Sequence, residues 1–429
     1  MEFSEKTEPM IHYFLYNFQK FYKKRKRGDQ IKLEEKYKKL FNDIKKEYEL
    51  FDNSKLLKEL NEVFIKDQIP TPKELLQSNY VPKEIREFIF VESRQYLSYK
   101  YVIHDQIKGI KRTIEINFVM FTTDDMLELK KYDSYVKYMI MALGMISKHA
   151  KGDCCKKLRV FIYLTDFKRE LPQKLHACIE PMNVNGGLTT NCGYTNEICI
   201  YRKEEFFKVF LHECFHAFNM DFSIKPQFEV NKKMRKIFNV ESEFNIYEAY
   251  CEFWATILNN AFISFKCSLN KQVNKAEMED FILYLDFCNK LEVMFSLFQL
   301  NKLMNFFSIT YDNLYQPDQT SKHICKYMYK EKTNVFSYYI LKTILLFHYE
   351  DFLSWCYSKN TCMFRFEEQK SFLVTTKKMD DFVEFLKNFH KMDDFLYYTH
   401  KMKFLNHGTS VLHAGNLQNT MRMTLLEFK

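Results

Sequence analysis

A mostly helical α+β fold is expected from three features of this 429-residue chain. Glycine and proline are scarce, at nine and eight residues, so long stretches contain neither of the residues that interrupt helices. Apolar residues recur at three- and four-residue spacing before residue 92 and again after residue 240, the mark of helices with one buried stripe. Between these regions the spacing falls to two over several short runs rich in β-branched and aromatic residues, which reads as strands.

In chain order, residues 1–92 read as a basic helical region. Segments 32–50 and 55–65 are rich in Lys and Glu with apolar residues at helical spacing, and Pro70, Pro72 and Pro82 punctuate the connection that follows. Residues 99–105 and 112–121 alternate apolar and polar about a turn at Lys108 and Gly109, which predicts an antiparallel hairpin. A helix over 124–149 and a strand over 157–165 come next. Two short strands, 185–190 and 197–201, follow around a turn containing Gly193. Residues 93–222 therefore hold a small mixed or antiparallel sheet. Residues 223–429 return to helical spacing in 241–258, 276–305, 333–357 and 380–395, ending in a polar, glycine-bearing tail at 407–415.

The chemistry is concentrated in residues 203–218, a helical run so rich in Phe, Val and Leu that little of its circumference is polar. It carries His212-Glu213-x-x-His216. Four residues of helix place the two imidazoles about 40° apart and roughly 6 Å along the axis, so both can face one cation. Glu213 falls beside that cation rather than on it. A catalytic zinc takes three protein ligands and keeps a fourth position for water, and an adjacent carboxylate can take that water's proton. The run 241–258 is equally apolar and sets Glu248 and Glu252 on one face, a turn apart. Two His and three carboxylates on apolar helices would cost several kcal/mol to bury without compensation, which a metal supplies.

Together these residues resemble the gluzincin class of zinc metallopeptidases. The resemblance implies one Zn2+ on His212, His216 and Glu248, Glu213 as general base, and Glu252 as the carboxylate orienting a ligating histidine. The class more often has Asp at this last position, and Glu252 is one methylene longer. The order of hairpin, helix, strands and motif helix is also similar to the upper lobe of gluzincins, with the rest forming a helical lower lobe. By that likeness Gly186, Gly187 and Leu188 belong to an edge strand that pairs with an extended polypeptide substrate; the other reading is a glycine-containing surface loop. An oxyanion donor is expected from the lower lobe, with Tyr338 and Tyr339 as the leading candidates and Tyr250, His323 and His348 beside them. Over residues 155–260 the chain is similar to an uncharacterised metallopeptidase-like group of large DNA viruses of eukaryotes.

The formal charge of +9 is spread thinly, short of a dedicated nucleic-acid binder. The sharpest basic run, 20–27, opens at Lys20 and closes at Arg27. It reads as a solvated helix face, or as a weak nucleic-acid contact. No secretory leader and no apolar run of membrane-spanning length are seen, so an intracellular setting is expected, cytoplasmic or within a virion. The twelve cysteines show no CxxC spacing and read as reduced core residues, with Cys154-Cys155 and the Cys192/Cys199 pair the places to inspect. Two alternatives to a peptidase stand: a catalytically inactive relative serving as a structural or virion protein, and a nucleic-acid-associated protein acting through its basic N-terminus.

Overall fold

The computed structural model describes all residues except 1–7, 23–26, 63–70, 106–107, 122–128, 151, 224–225, 271–274, 361, 367–371, 407–417 and 429. The basic run 20–27 falls largely outside the described residues, as does the tail 407–415. The chain is α+β and mostly helical, 57% helix with 14% strand, and holds one mixed six-stranded sheet. Among the described residues no helix is long and apolar enough to cross a membrane.

The sheet strands are β1 (Leu57–Glu62), β2 (Gln95–Asp105), β3 (Ile110–Met120), β4 (Lys157–Tyr163), β5 (Gly187–Thr189) and β6 (Thr195–Ile200), in the spatial order β1-β2-β3-β4-β6-β5. β2 and β3 form the expected hairpin, with Gly109 at φ 65° in its turn, a left-handed value that glycine adopts without strain. β3, β4 and β6 run parallel, and β5 closes the far edge antiparallel to β6. Period-two alternation sends Ile114, Ile116, Val160, Ile162, Ile198 and Ile200 into the main core. Val119, Phe161, Tyr163, Cys199 and Tyr201 point to the opposite face, under the helix Lys83–Glu92.

Residues 55–65 correct the sequence expectation, since their described part is strand β1 rather than helix. Leu57–Glu62 pairs antiparallel with residues 95–100. Pairing with the open edge of β2 outweighs the helix preference of Lys, Glu and Leu, and an edge position tolerates their charges and the exposure of Leu57 and Leu60. The helical run expected over 380–395 also divides. Helix Phe372–Phe389 ends where the His390 ring bonds the carbonyl of Lys387 at 2.8 Å, and a second helix, Asp393–Asn406, starts on two acidic residues.

The cysteines give a third correction. Ten are free, but Cys154 and Cys192 form a disulfide with their Cα atoms 4.9 Å apart. β4 and β6 are parallel neighbours, so the loops entering them lie side by side, joined by Cys155 N–H donating to Gly193 O at 2.7 Å. The pairing therefore depends on the sheet order, which spacing in sequence does not carry.

One continuous core runs from Met10 to Phe428. At its centre the motif helix, Phe206–Ala217, packs against β5 and β6 on one side and on the other against the helix Ile246–Ser268, which in turn packs on Met278–Phe306. The last residues, 420–428, thread into this core with Met421, Met423, Leu425, Leu426 and Phe428 buried.

Candidate metal centre

The motif helix is flanked by two left-handed residues, Glu205 at its N-cap with φ 59° and Asn219 just beyond its C-cap Phe218 with φ 53°. Asn219 N–H donates to His216 O at 3.0 Å and Met220 N–H to Phe215 O at 2.8 Å, so the chain folds back on the last turn. That reversal tucks Asp221 under His216. The helix Ile246–Ser268, termed the ligand helix for Glu248, has Asn245 at its N-cap and is buried almost throughout, so Glu248 and Glu252 are presented from a rigid element.

Across the two helices, Nε2 of His212 and Nε2 of His216 lie 3.1 Å apart, and Oε2 of Glu248 is 3.1 Å from the first and 3.4 Å from the second. Three donors held about 2.0–2.1 Å from one tetrahedral ion would be separated by about 3.3 Å. The triangle has that size, and its two imidazoles and one carboxylate are a donor set that can hold a metal ion. A second cluster, His216, Asp221 and Cys251, shares a histidine with it. There the His216 Nδ1 to Asp221 Oδ2 separation is 2.5 Å, too short for two donors of one ion and right for a hydrogen bond.

Each histidine is thus held by a carboxylate on the nitrogen facing away from the triangle. Asp221 takes Nδ1 of His216, and its other oxygen accepts from Ser223 Oγ at 3.0 Å. Glu252 Oε1 lies 2.9 Å from Nδ1 of His212, a contact of charge rather than an aligned hydrogen bond. Both leave Nε2 pointing at Glu248. Glu252 also pairs with the buried Lys208 ammonium and has Lys342 Nζ at 3.9 Å.

Burial disfavours every charge here, and the neighbours decide the outcome. It would raise the Glu248 carboxyl, but the two histidines bring it down to about 2. It would likewise raise Glu252, which Lys208, His212 and Lys342 hold well below the carboxylate range. It would lower His212, yet Glu248 and Glu252 raise that ring to about 9, and Cys251, Asp221 and Glu248 hold His216 above its ordinary value. Glu213 goes the other way: burial raises it and the histidines only partly offset this, leaving a carboxylate with increased affinity for a proton.

Glu213 and the triangle line a cleft of about 330 Å³ together with Gly186, Gly187 and Leu188. β5 can lie this close to the motif helix because residue 187 has no side chain. A Cβ there would stand 2.7 Å from Val209 Cγ1 and 3.3 Å from Glu213 Cγ. Tyr338 reaches the cleft, with its hydroxyl 3.3 Å from Glu248 Oε2. Tyr339 does not. One residue along a helical turn points it elsewhere, and its hydroxyl donates to Met421 O at 2.5 Å. Tyr250 bonds Phe364 O in the core, His348 sits among Phe347, Phe389 and Phe395, and His323 packs at a tilt against Tyr327; none of these three lines the cleft. A larger cavity, about 720 Å³, adjoins Phe206 and Lys208 but contains none of the triangle, so size does not locate the chemistry here.

Three residues of the centre were not singled out from sequence. Asp221 had a signal, as a lone acid in the apolar run Phe218-Asn-Met-Asp-Phe222, and so did Lys208, a lysine one turn before His212 among phenylalanines. Asn334, whose Nδ2 donates to Glu248 Oε1 at 3.2 Å from 86 residues away, had none. Compared with known proteins, the chain matches no family model, no curated protein and no solved structure.

Proposed function

We propose that the protein is a zinc-dependent metallopeptidase, with one Zn2+ held by His212, His216 and Glu248 and with Glu213 as general base. The observation that carries this reading is the convergence of three buried ligand atoms within 3.4 Å of one another, in a cleft that Glu213 also lines. When bound, zinc would supply Lewis-acid chemistry, lowering the pKa of a water and polarising the scissile carbonyl. Glu213 takes the proton of the attacking water and returns it to the departing amine, a double role that suits a carboxylate whose pKa is raised by burial. Asp221 and Glu252 fix the two rings so that the ligating nitrogens stay aimed inward. The edge strand β5, with Gly186, Gly187 and Leu188 along the cleft, offers unpaired backbone to an extended polypeptide. Tyr338 is the oxyanion donor in this scheme, its hydroxyl being the one candidate that reaches the cleft.

The test combines metal content with a digest of a mixed peptide library. Wild type is expected to hold one zinc and to cleave, Glu213→Gln to keep the zinc and lose cleavage, and His216→Ala and Glu248→Ala to lose the zinc. Stoichiometric zinc in His216→Ala refutes the ligand set. Zinc-loaded wild type that cleaves nothing in the library refutes the peptidase.

A further inference from the structure

The carboxylate of Glu248 has two oxygens, and only one of them faces the histidines. Oε2 is the vertex of the triangle, while Oε1 accepts from Asn334 Nδ2 at 3.2 Å. A glutamate can bind a metal through one oxygen or both, and a second bound oxygen takes up a coordination position that a catalytic zinc keeps for water. Whatever holds Oε1 back therefore decides whether that position stays open.

We propose that Asn334 is a positioning residue which keeps Glu248 to a single metal-facing oxygen. The inference rests on reading the triangle as a metal centre. The amide of Asn334 is itself oriented, because its Oδ1 accepts from Asn245 Nδ2 at 2.8 Å, so its NH2 group must face Glu248. Asn245 begins the ligand helix, one turn before Glu248, and its carbonyl accepts from Ser337 Oγ at 2.9 Å. The relay from Asn245 through Asn334 to Glu248 is thus anchored on the helix that supplies the ligand. Asn334 lies two residues before a π-helical turn, Phe336–Leu341, an uncommon geometry frequent at functional sites, and that turn carries Tyr338 into the same cleft. Next to Asn334, Thr333 Oγ1 donates to Asn185 Oδ1 at 2.8 Å, two residues before β5. Residues 333 and 334 therefore join the ligand carboxylate to the approach of the edge strand.

The test uses the full chain loaded with Co2+ or Zn2+, comparing wild type with Asn334→Leu, which keeps the volume and removes the donor, and with Asn245→Ala, which frees the Asn334 amide to rotate. Wild type is expected to take up one Co2+ and to show the intense visible absorption of four-coordinate cobalt. Asn334→Leu is expected to give the weak absorption of five-coordinate cobalt and to hold zinc about 10–100-fold less tightly in chelator competition, the range for loss of a residue supporting a ligand. Asn245→Ala shifts both readouts in the same direction by less, and still reports if Asn334→Leu does not fold. A wild-type cobalt spectrum with unchanged zinc affinity in both variants overturns this inference and leaves the metal centre standing. Failure of wild type to bind either ion overturns both.

Discussion

Glu252 links the proposed metal centre to the stability of the core, and replacing it separates the two. Glu252→Met keeps the volume and removes a carboxylate paired with Lys208 and close to His212 and Lys342. The side chains of Lys208 and Lys342 are 1% and 2% exposed, so the change strands the Lys208 ammonium away from water and takes one of its neighbouring carboxylates from Lys342, which still donates to Met423 O. Breaking a buried pair from one side costs about 3–5 kcal/mol. Lys342 absorbs part of this. Burial and Lys208 already lower its pKa to about 8 despite Glu252, so shedding its proton at pH 7 costs about 1.4 kcal/mol at most. The loss should therefore lie near the lower bound, about 3 kcal/mol, and come mainly from Lys208. The double variant Lys208→Met/Glu252→Met removes the stranded charge and should recover about 2 kcal/mol or more, because apolar groups of similar volume replace a buried pair at little cost. Zinc affinity should not recover with it, since His212 Nδ1 still lacks the carboxylate that faces it and a loss of about 10–100-fold is expected in both variants. Denaturant unfolding of the metal-free proteins measures the first quantity and chelator competition the second. A double variant as unstable as Glu252→Met would refute the charge argument, and wild-type zinc affinity in either variant would refute the orienting role.

Gly187→Val places a side chain where a Cβ alone meets Val209 Cγ1 at 2.7 Å and Cys199 O at 3.0 Å, so β5 should shift from the motif helix. Peptide cleavage should fall at least tenfold while zinc content stays at one per chain; unchanged cleavage would refute β5 as the strand that pairs with substrate. Deleting residues 420–429 withdraws the amides of Met423 and Thr424 from Glu205, which keeps only its pair with Arg169, and strips the buried Glu292 Oε1 of the donors from Thr424, Leu425 and Leu426. The truncated chain should unfold or aggregate at 25 °C, and a wild-type melting temperature would show the segment to be dispensable. His348 is buried, its pKa lowered to about 4 by desolvation with only partial relief from Asp394, against 6.5 when unfolded. The unfolded chain thus binds a proton that the folded chain refuses, so stability falls as pH drops through 6.5 and the full loss, about 3 kcal/mol, is reached near pH 4. His348→Leu should flatten the change in unfolding midpoint between pH 7 and 4.5 by most of that amount, and an equally steep profile would refute it.

What sequence carried, and what it did not, divides along the distance over which each feature is determined. The α+β class, the β2–β3 hairpin and the motif and ligand helices follow from periodicity within about fifteen residues, and all are present. Strand β1 and the Cys154–Cys192 disulfide depend on which strand lies beside which, a property of the whole sheet, and local composition pointed the wrong way for both. The site divides in the same manner. His212 and His216 share a face because helix geometry places them there, and Glu248 with Glu252 likewise, so only the meeting of the two helices had to be supplied by the fold. The groups that aim these ligands come from reversals and crossovers instead. Asp221 arrives through the left-handed cap at Asn219, Lys208 by packing against the second helix, and Asn334 from a distant turn.

The same division explains why Tyr338 and Tyr339 could not be told apart in sequence. Adjacent residues on a helical turn point about 100° apart, and which of them enters the cleft is set by how residues 336–341 dock on the ligand helix. That docking is fixed from both ends, by Ser337 Oγ on the Asn245 carbonyl and by Tyr339 on the Met421 carbonyl. The buried C-terminal segment therefore selects the tyrosine that faces Glu248, although it lies some eighty residues further along the chain. Tyr339→Phe, which removes one of these two anchors without touching the cleft, should thus lower turnover more than it lowers zinc affinity. Equal losses in both would place Tyr339 in the general packing of the core instead.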